Sequence, residues 1–146
     1  MKKYTFQRLY ENNFLTIPCC PGVYFVTCGK NFKHKFIHPG TGGHFKCKDP
    51  NVSVRKLKSK WVLGNRLLYI GQTRRSLRER IALFAAFGSG YPVAHRGGRY
   101  IWQIKNATSN LYVHCEEIGN PRAREKEEIA KFEKKYKKLP FANLIR

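Results

Sequence analysis

Five side chains spread along the sequence have the chemical types needed to hydrolyse a phosphodiester bond. They are two phenols, a guanidinium, a carboxylate and a carboxamide: Tyr24, Tyr69, Arg80, Glu125 and Asn143. A carboxylate can bind a divalent cation, a guanidinium can stabilise charge on phosphoryl oxygens, and a phenol can orient or deprotonate water. These residues can act together only if the fold brings them to one cleft.

The chain is strongly basic. It carries 29 Lys and Arg against 9 Asp and Glu, a formal net charge of +20. Cations that neutralise phosphates release condensed counterions, so this charge favours a nucleic-acid partner, DNA or RNA. Charge alone does not distinguish a protein that cuts nucleic acid from one that only binds it.

Length and composition predict one domain, residues 1–146. The content of 42% hydrophobic and 14% aromatic residues predicts a folded chain. The longest apolar run, 81–87, is too short for a membrane span, and no apolar stretch follows Met1, so the cytoplasm is the expected location and no membrane partner is expected. The 5 cysteines, two of them adjacent, suit a reducing compartment.

Local patterns predict three strands, at 23–28, at 66–70 with Gly71 as its end, and at 111–118. Helices are predicted at 4–17, from Ser76 onward, and from Pro121 to about residue 137 after an Asn120 cap. The segment 99–105 is ambiguous between helix and strand.

Two charged candidates lie on or beside helix faces that should be buried. Glu125 shares a face with Ile129, and burying a carboxylate costs on the order of several kcal/mol unless a cation or donors meet it. Glu125 is therefore either a metal ligand or a partly solvated acid in a first helical turn. Arg80 borders the stripe of Leu77 and Phe84, as a fixed phosphate ligand or as a surface arginine.

In their order along the chain these residues resemble the GIY-YIG nuclease family. Gly22-Val23-Tyr24 resembles the first signature of the family, and Tyr69-Ile70-Gly71 matches the second. Arg80, three residues after a leucine, resembles the signature arginine. Glu125 resembles the metal-binding glutamate of the last helix, and Asn143 the asparagine of the closing segment. The resemblance covers about residues 18–145 and is carried by the ordered set of motifs.

The resemblance implies an α/β fold with a small three-stranded antiparallel sheet flanked by helices. It also implies that the protein is a metal-dependent DNA endonuclease, which would act as a monomer or homodimer. One Mg²⁺ or Mn²⁺ would be held by Glu125. Tyr24 would be the general base, and Arg80 would stabilise charge on the phosphoryl oxygens. Tyr69 and Asn143 would position water and hold the site together.

The chain departs from the family pattern at two places that matter for the site. A basic insertion, residues 30–64, separates the two tyrosine motifs in the first hairpin. One turn after Arg80, where many members carry His or Tyr, the chain has Phe84, which cannot transfer protons. His95 could supply that proton transfer, or it could be a loop histidine that contacts phosphate.

Further basic side chains are expected to bind the nucleic acid backbone. They are Lys56, Lys58, Lys60, Arg74, Arg75, Arg78, Arg96 and Arg99. The insertion, with aromatic residues among its cations, is either an arm that tracks DNA or a solvated, partly mobile loop. The alternative function is a non-catalytic basic nucleic-acid-binding protein with the same fold, although the intact catalytic set favours an enzyme.

Overall fold

The computed structural model describes residues 2–144. Strands are β1 (Tyr4–Thr5), β2 (Gly22–Cys28), β3 (Leu67–Thr73) and β4 (Leu111–Glu117). Helices are α1 (Phe6–Glu11), α2 (Val54–Lys60), α3 (Leu77–Gly88), α4 (Ala107–Asn110) and α5 (Pro121–Tyr136), with 3₁₀ turns at Phe45–Cys47 and Arg99–Gln103. The strands form one antiparallel sheet in the order β1-β4-β2-β3, so the fold is α/β.

The sheet has four strands, and the prediction of three was wrong. The additional strand is β1, in which Tyr4 pairs with Val113 of β4. Helix α1 begins only after it, because the Thr5 Oγ1 accepts a hydrogen bond from the Arg8 amide at 3.1 Å and caps the helix. The predicted helix over 4–17 is therefore a short strand followed by a helix of 6 residues.

Strand β3 continues past the glycine that was predicted to end it. Gly71 lies opposite Tyr24 in the β2–β3 register. A Cβ atom on Gly71 would lie 2.3 Å from Cζ of Tyr24, so the tyrosine ring occupies the space of the missing side chain. This glycine is required by a ring on the neighbouring strand, and it does not mark a turn.

The two faces of the sheet are covered by different helices. Tyr24 and Tyr69 belong to the main hydrophobic core, together with Leu77, Ile81 and Phe84 of α3. On the opposite face Val23, Phe25 and Ile70 pack against Ile129 of α5. Helix α3 begins as predicted, since the Ser76 Oγ accepts a hydrogen bond from the Glu79 amide at 3.3 Å.

The insertion between β2 and β3 is folded onto the core. The Gln103 carboxamide accepts a hydrogen bond from the Val52 amide and donates one to the Val52 carbonyl, both at 2.8 Å. The rings of Phe36 and Trp61 pack against Phe141, with centroids 5.6 Å and 5.2 Å away. These aromatic side chains pack back against the domain, whereas cations of the insertion, those of α2 among them, face outward.

Helix α5 begins as predicted at Pro121, with the Asn120 Oδ1 accepting a hydrogen bond from the Ala123 amide at 3.3 Å. After α5 the chain returns along the free edge of β3, where the Ala142 amide donates to the Leu68 carbonyl at 2.8 Å. None of the helices within residues 2–144 is long and apolar enough to cross a bilayer.

Replacing Gly71 by Ala should destabilise the fold, because the new methyl group would overlap the Tyr24 ring. We expect the free energy of unfolding to fall by about 1–3 kcal/mol in urea denaturation. Gly29→Ala is the matched control, since nothing lies within 4 Å of a Cβ at that position. Equal losses in the two variants would contradict the close contact.

Candidate active site

One cleft of about 420 Å³ contains several of the residues singled out by the sequence. It lies between β3, α5 and the loop that follows α3. Tyr69, Glu125 and Asn143 line it, and Arg96 and Arg99 of the loop contribute positive charge. Three segments that are distant in the sequence therefore supply a phenol, a carboxylate and two guanidinium groups to one cavity.

Tyr24 lies behind Tyr69 and is fully buried, whereas Tyr69 reaches the cleft with 8% of its surface exposed. The two rings meet edge to face, with centroids 6.0 Å apart. Burial raises the pKa of Tyr24 to about 12, although the charge of Arg80 and hydrogen bonding to that guanidinium act in the opposite direction. Burial also raises the pKa of Tyr69, so both phenols are protonated at neutral pH.

His95 is in contact with the buried phenol. Its Nε2 atom lies 2.9 Å from the Tyr24 hydroxyl oxygen, and its ring stacks on Phe84 at a centroid distance of 4.6 Å. Burial, and then the charge of Arg80, lower the pKa of His95 to about 3. The imidazole is therefore neutral at physiological pH and can accept the Tyr24 proton. The imidazole of His95 can thus exchange a proton at the position where it stacks on Phe84, whose own ring cannot.

Arg80, on the first turns of α3, lies among these groups. Its positive charge acts on the pKa values of Tyr24, Tyr69 and His95 together. Its backbone amide donates to the Ser76 carbonyl at 3.0 Å, which anchors this residue in the helix. The guanidinium is thus a cation beside two phenols and an imidazole.

Glu125 is a half-buried carboxylate on the first turns of α5. Burial raises the pKa of Glu125, whereas the nearby charges of Arg122 and Lys126 lower it. Within residues 2–144 Glu125 takes part in no ion pair, in contrast to Glu128 on the same helix, which pairs with Arg124. Its oxygens are therefore available to a ligand in the cleft.

This carboxylate fits a magnesium site of the open kind. Mg²⁺ binds to one or two carboxylates and completes its shell with water and substrate phosphates. No cluster of three or more His, Cys, Asp or Glu side chains that could hold a metal occurs in the part of the chain that the structure describes. Glu125 is accordingly the residue that could hold a divalent cation here, with substrate oxygens as further ligands.

Asn143 connects the segment after α5 to the edge of β3. Its Oδ1 accepts a hydrogen bond from the Ile70 amide and its Nδ2 donates to the Ile70 carbonyl, both at 2.9 Å. Both ends of the carboxamide are thus engaged by backbone. This geometry suits the expected role of holding the site together, because it fixes β3 next to Tyr69.

The cations expected to bind phosphates lie in different environments. Arg96 and Arg99 line the cleft, and Lys60 lines a depression of about 160 Å³ that shares Asn143 with it. The side chains of Lys56, Lys58, Arg74 and Arg75 are exposed. Arg78 differs, because its guanidinium donates to the carbonyls of Ile17 at 2.8 Å and Leu15 at 3.2 Å. Arg78 therefore stabilises the connection between α1 and β2.

Two glycines in the wall of the cleft were not singled out from the sequence. A Cβ atom on Gly97 would lie 2.9 Å from the Tyr69 hydroxyl oxygen. Gly98 has a φ of 76°, and a Cβ there would lie 3.0 Å from the same ring. In the sequence they could have been found as the pair of glycines two residues after His95. This pair allows the loop backbone to approach Tyr69.

The buried His95 should make the protein less stable in acid. Its pKa is about 3 in the folded state and about 6.5 in the unfolded chain. Between these values the unfolded state binds more protons, so the free energy of unfolding falls as the pH is lowered through this window, by about 1.4 kcal/mol per pH unit at most. Urea denaturation at several pH values measures this slope.

In this experiment His95→Gln should remove the contribution of His95 to the change of unfolding free energy with pH. His38→Gln, which replaces an exposed histidine, should retain it. A slope that is the same in His95→Gln and in the native chain would contradict a buried neutral imidazole.

Comparison of the chain with known proteins does not assign it to a family. No protein-family model, no curated protein and no solved structure matches it. The function therefore has to be inferred from the residues that meet at the cleft.

Proposed function

We propose that this protein is a metal-dependent DNA endonuclease of the GIY-YIG type, which hydrolyses phosphodiester bonds at a single divalent-metal site. The observation that carries the proposal is that two phenols, a guanidinium and an imidazole are neighbours behind a cleft lined by Tyr69 and Glu125, a carboxylate that forms no ion pair within residues 2–144. They are supplied by β2, β3, α3, the loop after α3, and α5. A protein that only binds phosphates has no use for a carboxylate at such a site.

The cleft offers a place for an anion. Burial, and then the charge of Arg96, lower the pKa of Arg99, so two guanidinium groups are held close together at the cleft wall. A phosphodiester group bound there would offset their mutual repulsion. Since guanidinium groups also match phosphate oxygens geometrically, these two arginines would position the substrate strand.

Arg80 would stabilise the transition state. Negative charge grows on the phosphoryl oxygens during hydrolysis, and a preorganised cation in a water-poor site stabilises such charge strongly. Because Arg80 is held on α3 beside Tyr24, it is already in place before the reaction.

The proton of the attacking water would leave through three side chains in sequence. Tyr69 contacts the cleft, Tyr24 lies within hydrogen-bonding reach behind it, and His95 Nε2 lies 2.9 Å beyond. The water proton passes to the Tyr69 oxygen, the Tyr69 proton to Tyr24, and the Tyr24 proton to His95. Tyr24, expected to act on water directly, is assigned the inner position because none of its surface is exposed.

Substrate binding would increase the basicity of His95. Burial lowers the pKa of this imidazole most, and the charge of Arg80 lowers it further. A phosphate bound to Arg80 would offset that charge and so raise the pKa of His95, although burial would still hold it below its ordinary value. Proton uptake by His95 would then be most favourable when substrate is present.

Glu125 would hold Mg²⁺ or Mn²⁺ through its unpaired carboxylate oxygens. When bound, the cation would supply charge stabilisation for the leaving oxygen of the scissile phosphate.

Glu125→Gln should reduce cleavage of supercoiled plasmid DNA in Mg²⁺ by at least about a hundredfold, because it removes the charge that holds the metal. Glu127→Gln, an exposed glutamate on the same helix, is the matched control and should retain activity. EDTA should abolish cleavage by the native chain. Cleavage that survives in Glu125→Gln would reject this site, and tight binding without cleavage in Mg²⁺ or Mn²⁺ would favour the non-catalytic alternative.

The proton path predicts that Tyr24→Phe and Tyr69→Phe lower the single-turnover cleavage rate to a similar extent. Their combination should lose little more than the worse single variant, because residues that act as a unit are not additive. Tyr112→Phe, in the neighbouring strand β4, is the control. Full activity in Tyr69→Phe together with an inactive Tyr24→Phe would instead place Tyr24 in direct contact with the water.

A further inference from the structure

A second groove, of about 760 Å³, is larger than the candidate active cleft. It lies between the C-terminal half of α5 and the chain on either side of the insertion. We name it the basic groove and define it by Lys30, Arg66, Glu128, Lys131, Lys135 and Tyr136. None of these residues belongs to the catalytic set, and Lys30 is the first residue of the basic insertion, whereas the other cations of the groove lie outside it.

The basic groove carries positive charge that the protein does not neutralise. Its carboxylate, Glu128, is paired with Arg124 and lies 3.6 Å from Lys131. Within residues 2–144 neither Lys30 nor Lys135 forms an ion pair, and the same is true of Arg66. Cations from three segments of the chain thus line one cavity. This arrangement favours an anionic ligand.

The groove and the cleft are neighbours along the junction of α5 and β3. Ile70 and Ile129 line the cleft, and Leu67 and Phe132 line the groove. Three residues along a strand span roughly 10 Å. Measured along the axis of a duplex, this distance corresponds to roughly three nucleotide steps of one strand. A polymer with regularly spaced anions can therefore occupy both cavities, whereas a small anion can occupy only one.

One half-buried aromatic side chain, Tyr136, accompanies the cations and packs on the buried Phe132. The rings of Phe132 and Tyr136 are in contact at a centroid distance of 4.6 Å, and the Lys135 Nζ lies 5.3 Å from the Tyr136 centroid. Grooves that track nucleic acid strands combine cations for the phosphates with aromatic side chains for the bases. An acidic peptide would match the charge but would gain less from this aromatic side chain.

We propose that the basic groove binds the phosphodiester backbone of a nucleic acid strand that extends from the active cleft. The inference rests on the proposed function for the identity of the polymer in the cleft. It adds a substrate contact that requires several nucleotides beyond the scissile phosphate.

The test measures binding in EDTA, so that cleavage plays no part. Labelled single-stranded DNA and RNA oligonucleotides of about 12 nucleotides are titrated with the full chain at several salt concentrations, with fluorescence anisotropy as the readout. Lys131→Gln/Lys135→Gln should lower the slope of log affinity against log salt by about two, roughly one for each phosphate contact.

Two further double variants control for charge and for helix stability. Lys134→Gln/Lys137→Gln removes the same charge from the same end of α5, outside the groove lining, and should leave the slope close to the native value. Lys30→Gln/Arg66→Gln changes the opposite wall and leaves α5 intact, so it should reproduce the reduced slope. A labelled dinucleotide, too short to reach the groove, should bind all variants alike.

Equal slopes in the groove variants and in the Lys134→Gln/Lys137→Gln control would overturn the inference. Competition by polyglutamate as effective as that by an oligonucleotide of equal charge would also overturn it, in favour of an acidic polypeptide. If the groove variants reduce the salt slope equally for DNA and RNA, this result would support recognition of the shared backbone. If they reduce it for one polymer alone, this result would support binding in the groove and identify that polymer as the ligand. Plasmid cleavage by the native chain separates the two proposals. If the native chain cleaves and the groove variants have the same salt slope as the control, only the binding site in the groove is rejected. If the groove variants have a reduced slope and the native chain does not cleave, only the nuclease function is rejected.

Discussion

The close contact between the Tyr24 ring and Gly71 is the constraint on which the site depends. It places an aromatic ring where the neighbouring strand has no side chain, and so buries the phenol between the sheet and α3. Burial favours the neutral form of both Tyr24 and His95, through opposite changes in their pKa values. The fold therefore holds a proton between two neutral groups beside a permanent cation, Arg80. In the proposed mechanism, an anion bound at Arg80 would change the field at this pair.

The acidic residues near α5 are distributed unequally, and this isolates Glu125. Arg124 contacts three carboxylates, those of Glu116, Glu127 and Glu128. This cluster lies on one side of the helix and engages three acids away from the cleft. Glu125 is next to Arg124 in the sequence but about 100° away around the helix, so it reaches the cleft instead. Glu125 is the carboxylate that lines the cleft.

The parts of the fold that sequence could predict are those set by neighbours in the chain. The caps at Ser76 and Asn120 mark the starts of α3 and α5 because capping is a local hydrogen bond. Strand β1 could not be predicted, since two residues become a strand only through pairing with β4. Gly71 was predicted to end the strand, because the ring that requires a glycine there lies on another strand. The contact of His95 with Tyr24 spans 71 positions and lies in a loop without periodicity, so the pattern of residues carried no sign of it.

The hydrogen bonds between Asn143 and Ile70 have a consequence for self-association. Together with the amide of Ala142, they occupy outward-facing backbone groups of β3, which would otherwise be open to pairing with another strand. At the opposite margin of the sheet, β1 offers only two residues. Two copies of this chain could not easily join their sheets into a continuous one. A homodimer would have to form through helices or loops, so each copy would keep a separate sheet with its own β3 side chains in its own cleft.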